Sequence, residues 1–103
     1  MTTKIEFIFD NPPDPTAFEQ AFADGYLDLV RALPGVQQVT SAKVWPKEDG
    51  SPTPAYRTVD AWFADYDAAA AATSTPEAGA LFPRTFELAT GGIRILFSEV
   101  EGA

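Results

Sequence analysis

A helix that stops abruptly within residues 26–36 is the feature that most restricts how this chain can fold. Leu29 and Leu33 lie one helical turn apart, so both are predicted to be buried on one face of the helix. Pro34 cannot continue a helix, and Gly35 can adopt the positive φ that reverses the chain. The stretch therefore predicts a helix end that turns directly into a strand.

The residues before this stop predict the helix itself. Asp14 is suited to the N-cap and Pro15 to the first helical position. Apolar side chains then recur at spacings of three and four, which predicts one continuous buried stripe made of Phe18, Phe22, Tyr26, Leu29 and Leu33. Gly25 interrupts this stripe and indicates either a kink or the close approach of another backbone.

Four segments have the composition or alternation of β-strands: residues 4–9, 36–45, 55–63 and 93–100. In the first, Ile5, Phe7 and Phe9 alternate with Glu6 and Ile8. In the third, one face is predicted to carry Tyr56, Thr58, Asp60 and Trp62. The proline-rich loop at residues 46–54 cannot belong to a central sheet.

Two further helices are predicted in the second half of the chain. Asp65 can cap a helix over residues 66–72, and Ser74 with Glu77 has the spacing of a capping box at the start of another. The second of these helices is predicted to face inward through Leu81, Phe82, Phe86 and Leu88. Residues 90–92 contain two glycines and end it.

The order strand, helix, strand, strand, helix, strand predicts one α+β domain over residues 1–103 with the ferredoxin-like βαββαβ arrangement. Its four-stranded antiparallel sheet would have helices on one face, with the first and third strands adjacent at the centre. The other face would then expose one side of every strand. Such a face predicts a homodimer in which two sheets pack into a dimeric α+β barrel.

Charge and composition exclude several functions. Fifteen acidic residues against seven basic ones give a net charge of −8, which disfavours a nucleic-acid partner. The chain has no cysteine and no histidine, so thiolate or imidazole metal ligands and histidine-activated nucleophiles are absent. A site with oxygen ligands is the only metal option left, and we expect no metal and no cofactor. Without a signal peptide or an apolar run of ~18 residues, we expect a cytoplasmic protein that does not enter a membrane.

Four motifs in this order and spacing resemble the EthD family of dimeric α+β barrels, and the resemblance covers essentially the whole chain. They are Leu-Val-Arg-Ala-Leu-Pro-Gly-Val at 29–36, Tyr-Arg-Thr-Val-Asp-Ala-Trp-Phe at 56–63, Ser-Thr-Pro-Glu-Ala-Gly at 74–79 and Ala-Thr-Gly-Gly at 89–92.

The resemblance implies a small homodimer, often encoded beside enzymes of ether or aromatic catabolism, whose own chemistry is mostly unassigned. Similar barrels act as cofactor-free monooxygenases, lactone isomerases, polyketide cyclases and small decarboxylases. Many EthD-like chains have a histidine late in the first helix. Tyr26 aligns with it here, so a mechanism through a histidine base does not carry over, nor does histidine ligation of haem.

Tyr26 and Asp60 are the candidate acid and base. The Tyr26 hydroxyl could enter a pocket between helix and sheet as a hydrogen-bond donor, or it could be a core aromatic with a backbone partner. A carboxylate in the middle of a strand is unusual, and burial of Asp60 would raise its pKa toward that of a general base. The alternative is an ion pair or a solvated rim position.

Other candidates would bind the substrate. Glu6 could lie beside Asp60 if the two share a face, and two close carboxylates would have divergent pKa values. The alternative for Glu6 is solvation at an edge or an ion pair with Arg57. Arginines can hold a ligand anion or form ion pairs, and aromatic side chains can line a hydrophobic pocket or belong to the core. These further candidates are Arg57, Arg94, Tyr56, Trp45 and Trp62.

Three functional hypotheses remain open at this level. The first is an enzyme that binds a hydrophobic or aromatic, oxygenated small molecule and catalyses cofactor-free proton transfer, cyclisation or oxidation. The second is a non-catalytic binding or accessory protein for a partner oxidising enzyme. The third is a structural dimer.

Overall fold

The computed structural model describes residues 1–102 of the chain. Its elements, in chain order, are β1 (Thr3–Phe9), α1 (Pro15–Ala23), α2 (Tyr26–Arg31), β2 (Gln38–Lys43), β3 (Arg57–Phe63), α3 (Tyr66–Ala72), α4 (Pro76–Leu88) and β4 (Ile93–Glu99). The predicted order of strands and helices is confirmed, with the first predicted helix divided into α1 and α2.

The four strands form one antiparallel sheet in the order β2-β3-β1-β4, so β1 and β3 are central as predicted. Alternate side chains of the central strands are completely buried under the helices: Ile5, Phe7 and Phe9 of β1, and Val59, Ala61 and Phe63 of β3. This is the ferredoxin-like α+β fold, with the core between the helices and one sheet face.

The first helical region begins as the sequence predicts and then bends. The Ala17 N–H donates to Asp14 Oδ1 over 3.1 Å, and Pro15 is the first helical residue. Gly25 has a φ of +84° and separates α1 from α2. No atom lies within 4 Å of where its Cβ would be, so the glycine marks a kink rather than a close backbone approach.

The apolar stripe continues across this kink with one change. Phe18, Phe22, Tyr26 and Leu33 are buried as predicted, but Val30 occupies the buried position expected for Leu29, which is only half-buried. The new helix that starts at Tyr26 places the residue four positions later, Val30, on the same face.

The end of α2 matches the prediction in part. The helix stops at Arg31, and Gly35 has the expected positive φ of +83°. The strand that follows is shorter than predicted, since Val36 still belongs to the turn through a bond from its N–H to the Leu33 carbonyl. Trp45 lies beyond β2 and is 89% exposed.

The third strand also begins later than predicted, which changes the position of Tyr56. Tyr56 precedes β3, and its ring packs edge-on against Phe18 of α1 with 5.2 Å between centroids. Because the residue lies outside the strand, strand alternation does not fix its direction. Its ring lies on the helix side of the sheet, and the expectation that it shares a face with Asp60 is wrong.

Helix α4 is capped one residue later than predicted. The Thr75 hydroxyl, rather than that of Ser74, accepts a bond from the Ala78 N–H over 3.2 Å. The buried face of this helix carries Ala78, Leu81, Thr85 and Leu88. Phe86 follows Thr85 by one position, falls outside that face and is 59% exposed, so the prediction that it faces inward is wrong.

Within residues 1–102, no helix combines the length and the apolar character required to cross a membrane.

Candidate functional site

The sheet face opposite the helices brings together alternate residues of all four strands. We call it the open face; it is formed by Lys4, Glu6, Ile8, Gln38, Thr40, Ala42, Thr58, Asp60, Trp62, Arg94, Leu96 and Ser98. All of these residues keep some exposure, in contrast to the buried face of the central strands. The open face is therefore the surface on which polar side chains of the central strands can meet a ligand.

Glu6 and Asp60 lie directly opposite each other on the open face, as a cross-strand pair between β1 and β3. The Lys4 ammonium lies 3.8 Å from Glu6 Oε2 and 3.7 Å from Asp60 Oδ2. It also lies 5.9 Å from the ring centroid of Trp62, its own cross-strand partner. One ammonium thus bridges two carboxyl groups beside an indole ring.

The environment of Asp60 favours its protonated form. Desolvation by the surrounding sheet, followed by hydrogen bonding to Glu6 and the negative charge of Glu6, raises the pKa of Asp60 to about 6. Lys4 opposes this rise. Among the described residues, Asp60 Oδ1 is buried without a hydrogen-bond partner. A carboxyl group with these properties can both accept and return a proton near neutral pH.

Tyr26 lies on the other side of the sheet and is fully buried. Its hydroxyl is 2.8 Å from Thr85 Oγ1, and the Thr85 hydroxyl donates to the Leu81 carbonyl over 3.0 Å. The Tyr26 O–H is therefore the donor to Thr85. Burial raises the pKa of Tyr26 to about 12, so the phenol stays protonated.

The expected acid and base pair is corrected by this arrangement. Tyr26 projects from α2 into the helix side of the core, where Phe9 and Phe22 pack on its ring with centroids 5.8 and 5.4 Å away. Asp60 projects from β3 to the open face. The sheet separates the two side chains, so they cannot act on one ligand together.

Arg57 also lies on the helix side, where an acidic residue of α1 binds it. Its Nη2 donates to both carboxylate oxygens of Glu19, at 2.7 and 3.1 Å, and its Nη1 donates to Ser41 Oγ at 3.0 Å. The guanidinium stacks over Phe22 at 4.2 Å. The alternative pairing of Arg57 with Glu6 is wrong, since the two residues lie on opposite faces of the sheet.

Arg94 lies on the open face but at its end. Its Nη2 donates to Asp10 Oδ1 over 2.8 Å and to the Pro54 carbonyl over 3.0 Å, which fastens the proline-rich loop to β4. Trp45 is far more exposed than the other candidates and belongs to no strand. Of the predicted site residues, the structure groups Glu6, Asp60 and Trp62 closely.

Lys4 is the member of this group that the sequence-based predictions missed. The signal was present, because Lys4 and Glu6 are two positions apart in a strand and must share a face. Its contact with Asp60 depends on the pairing register of β1 and β3, which the sequence leaves undetermined.

The helix layer carries a separate apolar groove between α1 and the end of α4. It has a volume of about 360 Å³ and is lined by Pro13, Ala17, Phe18, Ala21 and Leu88, with Asp14, Glu87 and Thr90 completing it. In the part of the chain that the structure describes, no group of three or more acidic side chains is placed to hold a metal ion.

Fold and open face together define the class: a small ferredoxin-like α+β domain with a carboxyl pair and a lysine on its uncovered sheet face. No family model matches the chain. A curated relative from Rhodococcus erythropolis, described as an uncharacterized 11.0 kDa protein in the thcB-thcC intergenic region, is 26% identical over 98 residues. The match covers 95% of this chain and 94% of the relative.

Solved structures share the fold over nearly the whole chain. An EthD family protein from Bacillus halodurans superimposes with a TM-score of 0.88 at 19% identity, covering 97% of this chain and 99% of that one. The resemblance to the EthD family indicated by the sequence motifs is thereby confirmed at the level of the fold.

Two other solved structures extend the comparison. A dimeric ferredoxin-like protein of unknown function from Thermobifida fusca has a TM-score of 0.70 at 16% identity, covering 97% of this chain and 92% of that one. SnoaB, a cofactor-independent oxygenase from Streptomyces nogalater, has a TM-score of 0.63 at 17% identity, covering 99% and 94%.

Proposed function

We propose that this protein is a homodimeric enzyme that transfers protons on an oxygenated small molecule, with Asp60 as the general base and Glu6 as its partner. The observation that carries this proposal is the direct opposition of Glu6 and Asp60 on the open face. Two carboxyl groups held together have unequal proton affinities, and one of them can then accept a proton while the other remains ionised.

A second copy of the chain would complete the site. The open face carries apolar side chains among its charges, including Ile8, Trp62 and Leu96, the last of which is 45% exposed. A partner's open face packed against this one would enclose the carboxyl pair and exclude water from it. The dimeric description of the Thermobifida fusca protein supports this association.

The description of SnoaB as a cofactor-independent oxygenase supports chemistry on this fold without a bound cofactor. In the present chain, that chemistry would begin with removal of a proton by Asp60, whose pKa of about 6 leaves most of it ionised at neutral pH. A cytoplasmic location is part of the proposal, since a chain without cysteine has no disulfide framework to suit an oxidising compartment.

Hydrogen–deuterium exchange at carbon tests this function. Small carbonyl compounds and phenols would be incubated in D₂O with the wild-type protein or with Asp60→Asn, and proton signals would be followed by NMR. We expect the wild type to accelerate exchange of at least one probe and Asp60→Asn to lower that rate about 100-fold, the low end for general base catalysis. Exchange by Asp60→Asn at the wild-type rate would overturn the proposal.

A second candidate function is non-catalytic binding of a hydrophobic ligand, as an accessory protein for a partner enzyme. The α1–α4 groove favours it, since its lining is largely apolar and its acidic members, Asp14 and Glu87, lie apart from the carboxyl pair. Ala21→Trp would fill this groove. A ligand whose binding is lost in Ala21→Trp but retained in Asp60→Asn would support the accessory role.

A further inference from the structure

We propose that the substrate of this site is an uncharged carbonyl compound with an acidic α C–H, and that Lys4 holds its oxygen while Asp60 removes the proton. This inference rests on the proposed function and specifies its substrate class. Its basis is the position of the Lys4 ammonium between Glu6 and Asp60 on the open face.

The distances leave Lys4 available to a ligand. Its Nζ lies 3.8 and 3.7 Å from the nearest oxygens of Glu6 and Asp60, beyond ordinary hydrogen-bond length. An ammonium has three N–H donors, so it can donate to a ligand oxygen while it stays near both carboxylates. Because Asp60 Oδ2 lies 3.7 Å from Nζ, a carbonyl compound whose oxygen is bound at Nζ would have its α C–H within reach of Asp60.

The negative charge around the site indicates that the substrate is neutral. With both carboxyl groups ionised, the cluster of Lys4, Glu6 and Asp60 carries a net charge of −1, within a chain whose net charge is −8. An anionic substrate would be repelled by the charge of this cluster and by the net charge of the chain. Two arginines that could offset this negative charge form ion pairs elsewhere. Arg57 pairs with Glu19 on the helix side of the sheet, and Arg94 pairs with Asp10 at the end of the open face.

Proton transfer would leave the charge of the cluster and its ligand unchanged. The α C–H bond breaks, its proton forms an O–H bond with Asp60, and the electron pair moves onto the substrate oxygen as an enolate. Asp60 thereby loses the negative charge that the enolate gains, and both positions lie beside the same ammonium. Return of the proton to the same carbon gives exchange, and return to another carbon gives isomerisation, with no oxidant or reductant required.

Trp62 adds a surface for the apolar part of such a substrate. Its ring lies on the open face next to Lys4, 5.9 Å from Nζ, and it is only partly buried. A flat ring beside the ammonium suits an unsaturated or aromatic substituent on the carbonyl compound.

The test uses two probes that differ in charge. Ethyl α-methylacetoacetate is neutral, and α-methylacetoacetate is the matching anion; each has one α C–H between two carbonyl groups, and their exchange in D₂O is followed by NMR. We expect the wild type to accelerate exchange of the ester at least tenfold more than that of the anion. Lys4→Met should lower kcat for the ester about 100-fold, as expected for loss of one donor to a developing oxyanion.

Lys43→Met is the matched control, since Lys43 lies on β2 outside the open face and should leave the rate unchanged. Lys4→Arg retains the charge and should recover part of the activity, and urea denaturation of Lys4→Met shows whether that variant is folded under the assay conditions. Equal acceleration of ester and anion, or full activity in Lys4→Met, would overturn this inference about the substrate. The proposed function would still stand in that case if the exchange rate falls in Asp60→Asn. If no carbon acid or phenol exchanges with the wild type, both fall.

Discussion

The hydroxyl of Tyr26 and the hydroxyl of Thr85 lie 2.8 Å apart in the core, and this single bond joins α2 to α4. Thr85 gives its own proton to the Leu81 carbonyl, so Tyr26 must be the donor. Both residues are fully buried. The bond therefore satisfies two polar groups inside an apolar layer, which supports a structural role for Tyr26.

Removing either hydroxyl should affect stability and leave proton transfer intact. Tyr26→Phe should lower the free energy of unfolding by about 1 kcal/mol, whereas Thr85→Val, which leaves a buried phenol without its acceptor, should cost about 1–3 kcal/mol. The double variant should cost less than the sum of the two. Urea denaturation measures all three. A loss of exchange activity in Tyr26→Phe with unchanged stability would contradict this structural role.

The raised pKa of Asp60 predicts how stability depends on pH. Its ordinary value is 3.8 and its folded value is about 6, so the folded state binds this proton more tightly than the unfolded state. The resulting stabilisation is complete below pH 3.8 and is lost as the pH rises through 6.

The wild type should therefore lose stability relative to Asp60→Asn between pH 4 and pH 7, values that bracket this window. Burial is the largest cause of the raised Asp60 pKa and Glu6 adds to it, so Glu6→Gln should reduce, without abolishing, the pH-dependent stability difference between proteins with Asp60 and with Asn at this position. The urea midpoints of wild type and Asp60→Asn, measured at one fixed protein concentration from pH 4 to pH 7, would show this loss of stability. A constant difference between wild type and Asp60→Asn would contradict the assignment.

Two glycines differ in whether the fold leaves room for a Cβ atom, and alanine substitutions compare them. An alanine Cβ at Gly91 would overlap the Asn11 carbonyl oxygen, where the loop after β1 crosses the start of β4. Gly79 lies in α4 with nothing within 4 Å of its Cβ position. We expect Gly91→Ala to destabilise the protein by several kcal/mol and Gly79→Ala to stabilise it by about 0.5–1 kcal/mol. Thermal unfolding should show a lower melting temperature for Gly91→Ala and a higher one for Gly79→Ala. Shifts of the same sign would contradict the close approach of Gly91 to the Asn11 carbonyl.

The proposed dimer can be tested with two exposed apolar residues on opposite sides of the sheet. Leu96 lies on the open face beside Glu6, and Phe86 lies on the outer side of α4. Leu96→Asp would add a carboxylate to an interface to which each protomer already contributes two, Glu6 and Asp60, so we expect it to dissociate the dimer. Phe86→Asp should leave the dimer intact. Sizing chromatography at micromolar concentration distinguishes the two, and a monomeric wild type would refute the association itself.

Local patterns predicted those parts of the structure that depend on near neighbours in the sequence. Asp14 and Pro15 specify the start of α1 because a cap needs only its own first turn. The alternation in residues 4–9 specified which side chains of β1 are buried. Where a local rule had two equivalent solutions, the sequence was less decisive: Ser74 and Thr75 are adjacent hydroxyl residues, and the structure uses Thr75.

The sequence did not predict on which side of the sheet the side chains at the strand ends lie. Tyr56 has the parity of Asp60, yet it precedes β3 and packs on α1, because the alternation of a strand applies only where the ladder forms. Arg57 pairs with Glu19, which lies 38 residues away in the chain. Contacts of this range depend on how α1 lies across the sheet, which no local pattern specifies.

By itself, therefore, the sequence determined the order of elements, the ferredoxin-like topology and most of the buried stripe of the first helical region, because these follow from side-chain spacing and backbone preferences. The tertiary structure alone decided that Tyr26 is enclosed by Phe9, Phe22 and Thr85, and that Glu6 and Asp60 share one lysine. The reason is that a cross-strand pair exists only in one register. A shift of one residue between β1 and β3 would place the two carboxylates out of reach of each other.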